Sequence, residues 1–238
     1  MVGIGPGAKI EMSQRAIDAL QNSEIIVGYQ LYVDLIADAV PNKRIIASAM
    51  RKETDRAKTA IQEARAGKTV AIISSGDPGV YGMAGLVLEM ISKENIHLAV
   101  EIISGIPAAH AAAAALGAPL MHDYAVISLS DLLTPWETIE KRIQSAADAD
   151  FVIVLYNPKS SQRDWQIEST AQTILRYRLP DTPVGIVKDV TREGETVVIT
   201  TLDKMTSYPI DMTTIIIIGN STSFVYHDYI ITKRGYRL

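Results

Sequence analysis

The sequence predicts an α/β protein with a largely parallel sheet, divided into two α/β domains. Short β-branched runs alternate with longer stretches of helical spacing along most of the chain. Clusters of Gly, Pro, Ser, Asp and Asn follow the apolar runs, where strand exits and turns belong. Between Gly117 and Asp123 a Gly-Ala-Pro-Leu-Met-His-Asp segment interrupts the pattern. It sets the expected boundary between residues 1–120 and residues 121–238.

Met1 to Ile4 opens as a strand and runs into Gly5-Pro6-Gly7. Met12 to Gln21 places Met12, Ala16, Ala19 and Leu20 on one helical face, with Ser13 as its cap. Glu24 to Val27 reads as the second strand, followed by helical patterns over Leu31 to Val40 and Thr54 to Ala66. The strand Thr69 to Ile73 runs into Ser74-Ser75-Gly76-Asp77-Pro78-Gly79-Val80-Tyr81-Gly82, and a helix follows over Ala84 to Ser92. Ala99 to Ile103 reads as a strand and Ala108 to Leu116 as a helix. In the second half, strands are expected over Ala125 to Ser128, Phe151 to Tyr156, Val184 to Val187, Thr196 to Thr201 and Thr213 to Gly219. Helices are expected over Pro135 to Ala146 and Arg163 to Tyr177. No helical pattern separates the last two strands, which predicts a mixed sheet with an antiparallel edge.

Composition narrows the function. The chain has 238 residues, a net charge of −4 and no basic block, so nucleic acid is not the expected partner. It has no cysteine, which excludes disulfides, thiolate nucleophiles and cysteine-ligated zinc or iron–sulfur centres. No signal-peptide pattern and no apolar run near the roughly 20 residues of a membrane span are visible, so a soluble, cytoplasmic protein is expected.

The Ser74 to Gly82 segment holds three glycines within seven positions, and such a loop lets backbone approach a ligand at the carboxyl end of a strand. Gly3-Ile4-Gly5-Pro6-Gly7-Ala8 matches the dinucleotide fingerprint formally, which makes an NAD-dependent oxidoreductase the alternative. Two features oppose it. Pro6 removes an amide donor where pyrophosphate would sit, and the second strand ends in Val27-Gly28-Tyr29 without the acid that holds ribose. There is no Walker loop and no Gly-x-Ser-x-Gly elbow. The histidines at 97, 110, 122 and 227 lack metal-ligand spacing, so no metal site is expected. Further small and polar clusters stand at strand exits: Ser104 to Ala108, Ser128 to Asp131, Tyr156-Asn157-Pro158 and Gly219 to Thr222. Together they predict one large shared cleft.

Taken as an ensemble, the opening Val-Gly-Ile-Gly-Pro-Gly, the Ser-Gly-Asp-Pro-Gly-Val-Tyr-Gly loop and the later strand exits resemble the tetrapyrrole methylases. Gly28-Tyr29, Gly117 to Asp123, Ser128 to Glu137, Leu155 to Pro158 and Thr232 to Tyr236 resemble one branch in particular. That branch methylates C-17 of precorrin-3B or cobalt-factor III, with ring contraction, in cobalamin synthesis. A sister methylase acting at another ring carbon shares the general motifs. The resemblance spans essentially the whole chain.

It implies two α/β domains with S-adenosylmethionine folded into the cleft between them, a tetrapyrrole substrate and a homodimer. Carried over by position, donor contacts fall on Pro6, Gly76, Asp77, Val80, Pro107, Ala108, Tyr156, Asn157, Thr191 and Gly219. Proton handling falls to Asp77, Ser130, Asp131 or Tyr29. Arg51, Lys52, Lys188, Arg192 and Arg234 are the expected partners of the macrocycle's carboxylates. Pro107 stands where the family pattern usually has a hydroxyl, with His110 one turn beyond.

Overall fold

The strand runs of the first half are apolar without alternation, and a computed structural model, which describes residues 1–237, shows why. β1 (Val2–Gly3), β2 (Ile25–Tyr29), β3 (Arg44–Ser48) and β4 (Val70–Ser74) form an all-parallel sheet in the order β1-β4-β2-β3. Helices cover both of its faces, so neighbouring strand residues are buried in opposite directions. Ile26, Ala71 and Ile73 pack with Ala16 and Leu20 of α1 (Gln14–Asn22) and Val33 and Ile36 of α2 (Gln30–Ile36). Ile25, Val27 and Ile72 pack with Ala57 and Ile61 of α3 (Glu53–Arg65) and Val87 of α4 (Ala84–Lys93). Ser13 caps α1 as expected, its Oγ accepting from Ala16 N at 3.1 Å.

The chain divides into two compact units, Met1–Ala108 and Ala109–Leu238. The division falls at the first turn of α5 (Ala108–Leu116), ahead of the boundary expected at 120. The reason is packing. β5 (Gly117–Ala118) pairs in parallel with β12 (Tyr229–Thr232), and Leu116 lies against Gly185, where an added Cβ would sit 2.2 Å from Leu116 Cδ1.

The second unit is built on β6 (Tyr124–Ser128), β7 (Val152–Tyr156), β8 (Pro183–Lys188), β9 (Thr196–Thr201) and β10 (Thr214–Ile218) in the order β6-β7-β10-β8-β9. β9 is an antiparallel edge, as expected, but β10 also runs antiparallel to both neighbours inside the sheet. α6 (Trp136–Asp148) and α7 (Gln166–Ile174) lie on one face, contributing Ile139, Ile143, Ile167 and Ile174 to a core with Ile153, Leu155, Ile186 and Ile216.

One sequence expectation needs correction, and two elements were not foreseen. Ala99 to Ile103 is not a strand; only Ile103 bridges to Val2, because β1 offers just two residues to pair with. Arg44–Ser48 is a strand that the charged, half-exposed pattern concealed. β11 (Ser223–Tyr226) and β12 form a hairpin whose two-residue turn is His227-Asp228, with His227 at φ 51°. Among the described residues no helix is long and apolar enough to cross a membrane.

Candidate active site

In the first unit all four strands run the same way, so their exits share one edge. Pro6, Tyr29, the Ser74 to Gly82 loop and the Ser104 to Ala108 segment all leave from that edge or border it. Gly5 and Gly76 exchange backbone hydrogen bonds, with Gly76 N to Gly5 O at 2.7 Å and Gly5 N to Gly76 O at 3.2 Å. Both hold a positive φ, 71° and 65°, which glycine adopts without a steric penalty. Gly3 and Gly105 are needed for closeness: a Cβ on Gly105 would lie 2.2 Å from Gly76 O, and one on Gly3 2.6 Å from Gly105 N. The glycines let three loops stack backbone on backbone; of these, Gly76 belongs to the segment whose glycines were expected to admit a ligand.

Asp77 ties these loops together. Its Oδ1 accepts from Gly79 N at 2.7 Å and its Oδ2 from Gly105 N at 3.2 Å, so its capping role is visible in the geometry. Val80 and Tyr81 are exposed beside it, as is Ile106, giving the edge an apolar surface. Tyr29 is half-buried at the exit of β2, edge-to-face with Tyr32 at 5.2 Å. Pro6 is buried, and Pro107 and Ala108 are partly so. No lysine or arginine occurs in Gly3 to Gly7, Ser74 to Gly82 or Ser104 to Ala108; Asp77 is the charged residue of these loops. The helical pattern does not open within the glycine motif, since a 3₁₀ turn at Lys9–Glu11 intervenes and α1 starts at Gln14. A pyrophosphate would meet a proline and a carboxylate here, not free amides.

In the second unit β6, β7 and β8 run one way, and their exits carry the other candidates. Asn157, at φ 50°, donates from Nδ2 to Ser128 Oγ at 3.0 Å, and Ser130 N donates to the same oxygen at 3.2 Å. Tyr156 Oη accepts from Ala109 N at 2.9 Å and so caps α5. Asp131 Oδ2 accepts from Gln166 Nε2 at 2.8 Å. Arg163 is 7% exposed and donates from Nη1 to Leu129 O at 3.2 Å and to Asn157 O. Burial lowers the Arg163 pKa, and the Asp131 carboxylate opposes that shift. Thr191, at φ 61°, follows β8 at the same end, its N–H bonded to Glu195 Oε2 at 2.6 Å.

Gly219 is not brought to this group. Because β10 is antiparallel, its exit lies at the opposite end of the sheet, where Gly219 N donates to Pro183 O at 2.9 Å. Asn220 and Ser221 there bond Asp150, ahead of β7. Sequence reading also passed over Arg163 and Gln166. Arg163 was hidden because it reads as the start of the next helix, whereas α7 begins at Gln166.

Lys188 pairs with Asp211 at 2.7 Å beside β10. Burial pushes the Asp211 carboxyl up, but hydrogen bonds from Lys188, Thr213 and Thr214 outweigh it and hold the carboxyl below its usual range. A depressed carboxyl stabilises the fold above its unfolded pKa, and that contribution disappears as pH falls through the folded value. Asp211→Asn should therefore lower stability at neutral pH and lose its effect below the ordinary carboxylate range, as read by urea unfolding at both pH values. An equal deficit at both would contradict the assignment.

Of the other suspected cations, Lys52 pairs with Asp55 at 3.4 Å and Arg234 donates to Met121 O at 3.1 Å, while Arg51 follows β3 at φ 64°. His110 Nε2 meets Tyr124 Oη at 3.1 Å, and His122 Nδ1 accepts from Asp123 N at 2.9 Å. Among the described residues no group of three or more His, Cys, Asp or Glu side chains could hold a metal ion.

Residues 1–206 match the family described as Tetrapyrrole (Corrin/Porphyrin) Methylases. The chain belongs to the tetrapyrrole methylases. A relative from Priestia megaterium named "Cobalt-factor III methyltransferase" is 51% identical over all of this tetrapyrrole methylase, which spans 45% of that relative's length. A Salmonella typhimurium relative named "Probable cobalt-factor III C(17)-methyltransferase" is 48% identical, with 100% of this chain and 99% of the relative covered. The crystal structure of the methyltransferase CobJ superposes with a TM-score of 0.92 at 34% identity, covering 98% of both chains. The two-domain α/β fold expected from the family is therefore the fold of this methylase, and the oxidoreductase alternative is set aside.

Proposed function

We propose that this tetrapyrrole methylase is an S-adenosylmethionine-dependent C-methyltransferase of cobalamin synthesis that acts at C-17 of cobalt-factor III, with contraction of the ring. The observation that carries this is the 48% identity with the Salmonella protein, which extends over 99% of that protein's length. Both relatives described above are named for the cobalt-bearing substrate.

The residues present suit the donor. S-adenosylmethionine would supply an activated methyl on a sulfonium cation. The strand-exit loops of the first unit offer backbone groups, an apolar rim of Val80, Tyr81 and Ile106, and one carboxylate, Asp77. That set favours a compact cation over a phosphate. Pro6, Gly76, Asp77, Val80, Pro107 and Ala108 of this unit are assigned to donor binding; in the second unit the family resemblance gives that role to Tyr156, Asn157 and Thr191. Gly219 is left out on the geometry of β10.

Methyl transfer depends on holding the reacting carbon in line, so rigid loops matter more than a strong base. Ring contraction also needs a proton moved. The candidates for that task are Asp77 and Tyr29 in the first unit and Ser130 and Asp131 in the second, Asp131 being the carboxylate held by Gln166. Lys188, Arg192 and Arg51 stand near strand exits and are assigned to the substrate's peripheral carboxylates. A cytoplasmic homodimer is the setting the family resemblance implies.

The acceptor assignment is tested by comparing kcat/KM for cobalt-factor III and metal-free precorrin-3B under anaerobic conditions. The cobalt-bearing substrate should be preferred. A preference for precorrin-3B would move the enzyme to the metal-free branch.

A further inference from the structure

We propose that Arg163 is a positioning residue for methyl transfer: its buried guanidinium sets the strand-exit segments that carry Asn157 and Asp131. This rests on the donor-site reading above. Three elements meet at this one side chain. Nη1 donates to Leu129 O, after β6, and to Asn157 O, after β7. Nη2 faces Met212 Sδ at 3.5 Å, just ahead of β10. Nε points toward Asp131 Oδ1 at 4.0 Å. The backbone of Arg163 adds a pair of hydrogen bonds with Ser160, which fixes the turn that delivers the side chain.

Geometry explains why an arginine stands here. Asn157 holds a left-handed φ of 50°, a conformation that persists when its surroundings over-determine it. Its side chain bonds Ser128 Oγ and its carbonyl bonds Arg163, so the residue is gripped from both sides. A lysine has one compact donor group and cannot span two carbonyls and a carboxylate from a planar fork. Gln166, one turn further on, completes the clamp on Asp131 from Nε2.

The fold contains its own control. Arg178 is equally buried and bonds Asp150 and Phe151 O, but these stand ahead of β7, at the opposite end of the same sheet. Removing Arg178 should disturb stability without touching the strand exits.

The test compares wild type, Arg163→Met, Arg163→Lys and Arg178→Met. S-adenosylhomocysteine binding is measured by calorimetry, and donor KM and kcat are measured separately, all well below each variant's melting temperature. Wild type should bind S-adenosylhomocysteine. Arg163→Met should weaken that binding by about tenfold and raise the donor KM, the loss expected when buried carbonyls lose their charged donor. Arg163→Lys should recover part of it. Arg178→Met should lower the melting temperature and leave affinity and KM unchanged. If Arg163→Met does not fold, the same affinity order between Arg163→Lys and Arg178→Met decides the matter. Equal affinities across the Arg163 and Arg178 variants would overturn the proposal, as would equal weakening in both. Failure of the wild type to bind S-adenosylhomocysteine would instead overturn the donor-site reading, and the proposal with it.

Discussion

Gly105→Ala should lose about 3 kcal/mol of stability in urea unfolding, at the upper end of overpacking effects. The added Cβ would lie 2.2 Å from Gly76 O and 2.9 Å from Gly3 C, and both are backbone atoms with no rotamer to escape into. Gly76 cannot retreat freely, because it is locked to Gly5 by two hydrogen bonds. The strand-exit loops must then separate, and Pro107 and Ala108 move with them. Gly85→Ala is the matched control. It sits in α4 with nothing within 4 Å of its added Cβ, so the better helix former should be neutral or stabilising by up to about 1 kcal/mol. Equal stability for Gly105→Ala and wild type would show that the loops do not stack this way.

The second large effect concerns charge. Asp77→Asn keeps one oxygen to accept from a backbone amide, turns an NH2 toward the other amide and removes the carboxylate from the donor loops. If Asp77 faces the donor, the variant should weaken binding of S-adenosylmethionine, a cation at sulfur, about tenfold more than binding of neutral S-adenosylhomocysteine. The ratio of the two affinities is the informative quantity, since a loosened loop would weaken both alike. Asp77→Ala should add that general loosening by freeing Gly79 N and Gly105 N, at about 1–3 kcal/mol of stability. An unchanged ratio in Asp77→Asn would assign Asp77 to loop architecture alone.

Much of the fold was legible because its signals are local. Ser13 announces α1, and the apolar run before Ser74 announces β4. The parallel sheet follows from helices alternating with strands that lack a polar face. What escaped depended on partners distant in sequence. The Ala99 to Ile103 stretch has strand composition, but β1 provides only Val2 for it to bridge, so propensity alone misplaced it. β3 is a half-exposed edge whose charged start masks its register with β2. The β11–β12 hairpin turns through His-Asp, not through a glycine-bearing pair, and so lacks the usual short-range mark.

For the candidate site, the positions of strand exits were legible in the sequence. Small and polar clusters marked the strand exits, the family resemblance put roles on Asp77, Ser130, Asp131, Tyr156 and Asn157, and these residues follow strands that run to carboxyl edges. Strand direction was not legible, and β10's reversal is what sends Gly219 to the far end. Nor was the difference between a glycine that admits a ligand and one that admits a neighbouring backbone. Gly3 and Gly105 belong to the second kind. Arg163 escaped because an arginine in sequence looks solvent-bound until its burial and its three neighbouring segments are seen.

The most direct test is an anaerobic incubation of the purified chain with cobalt-factor III and S-adenosylmethionine carrying a deuterated methyl, followed by mass spectrometry and NMR of the corrinoid. One labelled methyl at C-17 of a contracted ring is the predicted result. Label at another ring carbon, or no transfer by folded protein that binds S-adenosylhomocysteine, would contradict it.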